Sequence, residues 1–148
     1  MLKGIYQFIC EYQYIIVPFM VWFGIQLFKL IYDLVVTKKF NFKRILQAGG
    51  MPSSHSAVVV SLTTMIAKDE GITSPLFGIA LIFSFIVMYD AAGVRRAAGK
   101  QAKLLNKIVE TPGLTGVEVS ERLVEVLGHT PVQVFVGAFI GFLVGIIF

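Results

Sequence analysis

The chain is poor in most of what soluble, secreted or metal-dependent domains are built from. It has a single cysteine, Cys10, which excludes an intramolecular disulfide framework and, with no ligand-type neighbours, is expected to be inert. It has only 9 carboxylates among 148 residues, and nowhere do they cluster as a magnesium site needs. Its 2 histidines lack the third and fourth ligands that zinc requires, so no metal or other cofactor is expected. Charged residues are only 15% of the chain, too few to solvate an ordinary globular surface. No polar stretch is long enough to make a soluble domain.

What the chain does have is apolar length. Hydrophobic residues make up 56% of it and the mean hydropathy is +0.79, which places it in the membrane class. Residues 15–36 are broken by Gln26, Lys29 and, near the end, Asp33, residues 75–89 run on past Asp90, and residues 131–148 carry no charge. About eighteen apolar residues suffice to cross a bilayer. Residues 53–67 are shorter, roughly 22 Å as a helix at 1.5 Å per residue, and read as a helix buried among the others. The expected fold is all-α: a single membrane domain of about four transmembrane helices. Residues 95–109 extend the third span as a basic helix. A short amphipathic helix on the membrane surface, opened by the capping box Thr115-Gly116-Val117-Glu118, is expected over 115–127. Lys3 gives the N-terminus a weak basic start, but the apolar core is too long and no small-residue cleavage site follows, so a secretory signal is not expected.

Charge is uneven. The connection after the first span carries Lys38, Lys39, Lys43 and Arg44; that after the third carries Arg95, Arg96, Lys100, Lys103 and Lys107. With four alternating spans both lie on one face, and the positive-inside rule makes that face cytoplasmic. The plasma membrane of a prokaryote is the expected location.

One stretch concentrates chemistry: Gly49-Gly50-Met51-Pro52-Ser53-Ser54-His55-Ser56. Two glycines allow a tight approach, and proline and serine favour a helix start. The unpaired N–H groups of that start favour an anion, with His55 beside it in the first turn. The other histidine, His129, also follows a glycine and precedes a Thr-Pro helix start. In a four-span bundle these two histidines, the Lys43/Arg44 pair and the Arg95/Arg96 pair converge at one depth. Asp90, one turn before Arg95, is either its ion-pair partner or a functional group. Two histidines among cations at a helix N-terminus suit phosphoryl transfer: one imidazole attacks phosphorus, the other protonates the leaving oxygen, and cations and N–H donors neutralise the equatorial oxygens.

These residues resemble a family. Pro52-Ser53-Ser54-His55 looks like the Pro-Ser-Gly-His signature of the type-2 phosphatidic acid phosphatase and vanadium haloperoxidase superfamily. The run from His129 to Val134, with Gly137 and Gly141 beyond it, is similar to its last signature. Together with Tyr89-Asp90-Ala91-Ala92-Gly93-Val94-Arg95-Arg96, these motifs look like the superfamily's small divergent membrane branch, over most of the chain from Lys39 to Gly145. The resemblance implies His129 as nucleophile, His55 as acid, and phosphate held by Ser53, Ser54, Lys43 or Arg44, and Arg95 or Arg96. Gln133 stands where that signature has an acidic residue, and would orient the ring together with Asp90. Leu123 stands where the late arginine is expected. The implied substrate is a lipid monophosphate or pyrophosphate taken from the bilayer, with no nucleic acid partner. Three other readings stay open: a lipid-phosphate binder or transporter without catalysis, a structural membrane subunit, and a vanadate-dependent oxidase. Gly137, Gly141 and Gly145 mark a helix face open to close approach, on which a homodimer is one expectation.

Overall fold

A computed structural model describes residues 2–38, 49–111, 123–125 and 127–148. Lys43, Arg44, Arg122 and residues 115–122 and 126 of the expected surface helix lie outside the described residues. Six helices follow in order: α1 (Leu2–Glu11), α2 (Gln13–Thr37), α3 (Ser54–Glu70), α4 (Pro75–Ala92), α5 (Val94–Glu110) and α6 (Pro131–Ile147). All regular structure among the described residues is helical, as composition implies.

Their starts follow from capping chemistry. The hydroxyls of Ser53, Ser74 and Thr130 accept N–H groups from Ser56, Phe77 and Gln133, satisfying donors a helix leaves unpaired at its first turn. Pro75 and Pro131 occupy the first helical position, where a missing N–H costs nothing. Pro52 does not: α3 begins two residues later, with Ser53 as its cap, so this proline belongs to the approach turn.

α3 is the hub, packed along α2, α4 and α6. The resulting bundle is built inside out. Phe19, Phe23, Ile79, Phe85, Phe135 and Phe139 are all more than half exposed, whereas the small residues Ser53, Ser56, Ala57 and Ser61 are fully buried, alongside Met65 and Val17. In water this surface is untenable; in a bilayer, lipid solvates the large side chains and helices associate through small residues and hydrogen bonds. Thr63 and Ser84 join α3 to α4 through hydroxyls 2.7 Å apart, and Ser84 also donates to the Val59 carbonyl at 3.0 Å. This is a membrane helical bundle.

α2 and the run Pro75–Glu110 are long and apolar enough to cross a membrane. α6 is apolar but has 17 residues, at the short end for a span. The glycine stripe of α6 is the corrected expectation: Gly137, Gly141 and Gly145 face Ser53, Ala57, Ser61 and Thr64 of the same chain. That face is filled by α3, so a dimer would need another surface.

Three further features depart from expectation. α1 is an additional helix. α5 is separated from α4 by Gly93, whose φ of −104° and ψ of −86° break the helical path. Leu123–Glu125 and Leu127, the end of the expected surface helix, are not helical. Their backbone is recruited by α5 instead: Asn106 donates to the Leu123 carbonyl and to Glu125 Oε1, both at 2.9 Å, and accepts the Leu123 N–H at 3.0 Å.

Candidate functional site

The site assembles where α3 and α6 begin and α4 ends. Gly49 and Gly50 take positive φ values of 114° and 77°, a conformation that L side chains avoid, and swing the chain into Pro52 and Ser53. Two backbone bonds then lock the pieces: Ser53 N–H donates to the Gln133 carbonyl at 3.0 Å, and His129 N–H to the Ala91 carbonyl at 2.9 Å. Gly128, at φ 81°, lies against the backbone of Arg95 and Arg96, where any side chain would collide. Gly99 does the same against Glu125 and Leu127. The approach to His129 is therefore strapped onto α5.

The outcome is that His55 and His129, 74 positions apart in sequence, come together with ring centroids 6.3 Å apart and planes at 61°. His129 is 3% exposed and neither ring nitrogen has a partner with hydrogen-bond geometry among the described residues. Such orphaned buried nitrogens cost free energy unless something fills the space beside them. Burial first, then the nearby Lys29 ammonium, holds the His129 ring below the usual imidazole pKa, against the opposing pull of Gln133 and the Gly50 backbone. A neutral ring keeps a lone pair for attack on an electrophile.

The other expected residues are placed as follows. Ser53, Ser54 and Ser56 are buried in the first turn, and the Ser56 hydroxyl donates to Ser53 Oγ at 3.0 Å. Gln133 lies near His129, but its Oε1 already accepts the Thr130 N–H at 2.9 Å, completing the capping box; its first task is to start α6. Arg95 pairs with Asp90 at 2.6 Å, both sides partly exposed, and both charges act on His55. Arg96 is half-buried and contributes its backbone to the Gly128 contact. No three His, Cys, Asp or Glu side chains come together as a metal site among the described residues.

The comparisons with known proteins fit this layout. The family described as "Divergent PAP2 family" matches residues 10–144. The chain belongs to that family. A relative in Bacillus subtilis (strain 168), named "Uncharacterized membrane protein YuiD", is 38% identical over 133 residues, covering 82% of this chain and 84% of its own. No solved structure matches.

In this divergent PAP2 protein the residue that sequence reasoning missed is Lys29. It reads there only as an interruption of the first span, yet it is 7% exposed, donates to the Gly49 carbonyl at 3.0 Å and acts electrostatically on both histidines. The available signal was its depth: a lysine eight residues inside an apolar helix, one turn after Gln26 and one before Asp33, is costly unless the protein uses it.

Proposed function

We propose that this membrane protein is a metal-independent phosphatase for a lipid phosphate or pyrophosphate at the cytoplasmic membrane interface. The observation that carries this reading is the pairing of two sequence-distant histidines with ring centroids 6.3 Å apart, with a buried ammonium acting on both. A ring nitrogen of His129 attacks phosphorus, the P–O bond to the lipid breaks, and the departing oxygen takes its proton from His55. Water then attacks the phosphohistidine, giving its proton to the now neutral His55 and releasing inorganic phosphate. Lys29, Arg95 and the N–H groups opening α3 offset the charge on the equatorial oxygens. Phosphatidic acid, phosphatidylglycerophosphate and polyprenyl pyrophosphate share the required chemistry.

A second reading, a lipid-phosphate binder or transporter that does not turn over, is favoured by one observation. Gln133 holds the place of a carboxylate and is engaged in the helix cap, so a charged ring at His129 has no carboxylate at that position to stabilise it. The deciding experiment is phosphate release from a panel of lipid phosphates by purified protein with chelator present, beside His129→Ala and His55→Ala. Turnover lost in both folded variants supports the phosphatase. Tight lipid-phosphate binding without turnover in the unaltered protein replaces it with the binder.

A further inference from the structure

α2 and α6 both stand along α3 but meet each other only briefly, and the space between them is a crevice rather than a packed seam. Its wider part is a cavity of about 580 Å³ bounded by Gly24, Phe28, Pro52, Val136 and Ile140, with Lys29 at its polar end. It continues into a hollow of about 300 Å³ lined by Val17, Val21 and Val144, sharing Gly24, Ile25 and Ile140 with the first. From Lys29 to Val17 the crevice follows twelve helical residues, about 18 Å at 1.5 Å each, more than half of a hydrocarbon core about 30 Å thick.

We infer that this crevice seats one hydrocarbon tail of the lipid phosphate whose headgroup lies at the histidine pair. The inference deepens the phosphatase reading and rests on it for the identity of the headgroup. Three observations converge on this occupant. The walls are apolar along their length, so nothing there rewards a polar ligand. Among the described residues the only charge on the wall is the Lys29 ammonium, at the end nearest His129, which complements an anionic head. The same Gly50-Met51-Pro52 turn that borders the crevice leads directly into Ser53 and His55, so head and tail sites are continuous.

Gly24 makes the test clean. It lines both parts of the crevice, and a Cβ built on it meets nothing within 4 Å, so Gly24→Leu adds bulk to the crevice from a side chain whose root is unobstructed. Gly78, equally open on α4, supplies Gly78→Leu as the matched control outside the crevice. Two assays are run. The first compares kcat/KM for a sixteen-carbon lysophosphatidate with that for p-nitrophenyl phosphate; Gly24→Leu is expected to lower the long-chain preference about tenfold, the scale at which pocket shape discriminates apolar groups, and Gly78→Leu to keep it. The second needs no turnover: phosphatidic acid with a diazirine in its tail is photo-crosslinked in nanodiscs and the adducts are mapped. Adducts on Phe28, Val136 or Ile140 that Gly24→Leu removes support the tail seat, even where no phosphate is released, in which case it is the phosphatase reading that falls. Adducts spread over the outer face of α4, or unchanged by Gly24→Leu, overturn the tail seat whether or not the protein hydrolyses phosphate.

Discussion

Replacing glycines one at a time by alanine along the bundle will separate positions that look alike in sequence. At Gly141 an added Cβ falls against the Ala57 carbonyl, with Ala57 C and Cα both at 2.9 Å. These are backbone atoms with no rotamer to yield, so α3 and α6 must part by roughly half an ångström, which forfeits about a quarter of the dispersion energy of each contact along the seam. Overpacking of this kind costs about 1–3 kcal/mol, and Gly141→Ala should sit at the upper end. Gly137→Ala strikes Ser53 and should match it, while at Gly145 part of the obstruction is the Thr64 side chain and the loss should be smaller. Gly24 and Gly78 meet nothing; there alanine removes only the helix penalty of glycine and should stabilise by up to about 1 kcal/mol. The assay is equilibrium unfolding of each variant in a fixed detergent micelle titrated with a denaturing detergent. A Gly141→Ala protein as stable as Gly24→Ala would refute the claim that α3 and α6 are held at backbone contact.

Further outcomes follow from the site. Because His129 is held below the ordinary imidazole value, turnover should persist as pH falls through about 6.5 and drop only when the native ring takes its proton. Over the same interval the unfolded chain binds the proton and the native one does not, so stability should decline with falling pH; pH–rate and pH–stability profiles of wild type against His129→Ala test both signs. Asp90→Asn breaks a partly exposed pair and should cost under about 1 kcal/mol of stability, yet raise affinity for a phosphate analogue by releasing Arg95, read by binding of vanadate. Asn106→Leu removes three hydrogen bonds to Leu123 and Glu125 at about 1 kcal/mol each, and should lower kcat while leaving α2, α3 and α4 folded by circular dichroism.

Much of this was legible in the chain. Apolar runs located α2, α4 and α6, because lipid demands length; serine before histidine and threonine before proline located the starts of α3 and α6, because capping is local chemistry. The Asp90–Arg95 pair was one of two readings that their closeness in sequence allowed, and it forms across the Gly93 break between α4 and α5. What was hidden is long-range. Nothing local says that the stripe of Gly137, Gly141 and Gly145 turns toward α3 rather than toward another molecule. Nor does sequence reveal that the approach to His129 is strapped on α5 by Asn106, Gly99 and Gly128, since an amphipathic pattern near 123–127 fits a surface helix equally well. Lys29 escaped for the opposite reason: a single charge disappears in a hydropathy average that its burial makes decisive.

That lysine bears on how the protein is made. A lysine near the middle of a nascent span disfavours its partition from the translocon into lipid by about 2.5–3.5 kcal/mol, and one group that stabilises Lys29 in the folded bundle is made only after α2 has reached the membrane. The carbonyl that accepts its hydrogen bond belongs to Gly49, twenty residues later, at the threshold of α3. α2 is therefore expected to wait at the insertion site, or to settle with its lysine drawn toward the headgroups, until α3 arrives and the two commit together. Biogenesis of this bundle would then be pairwise from its first step.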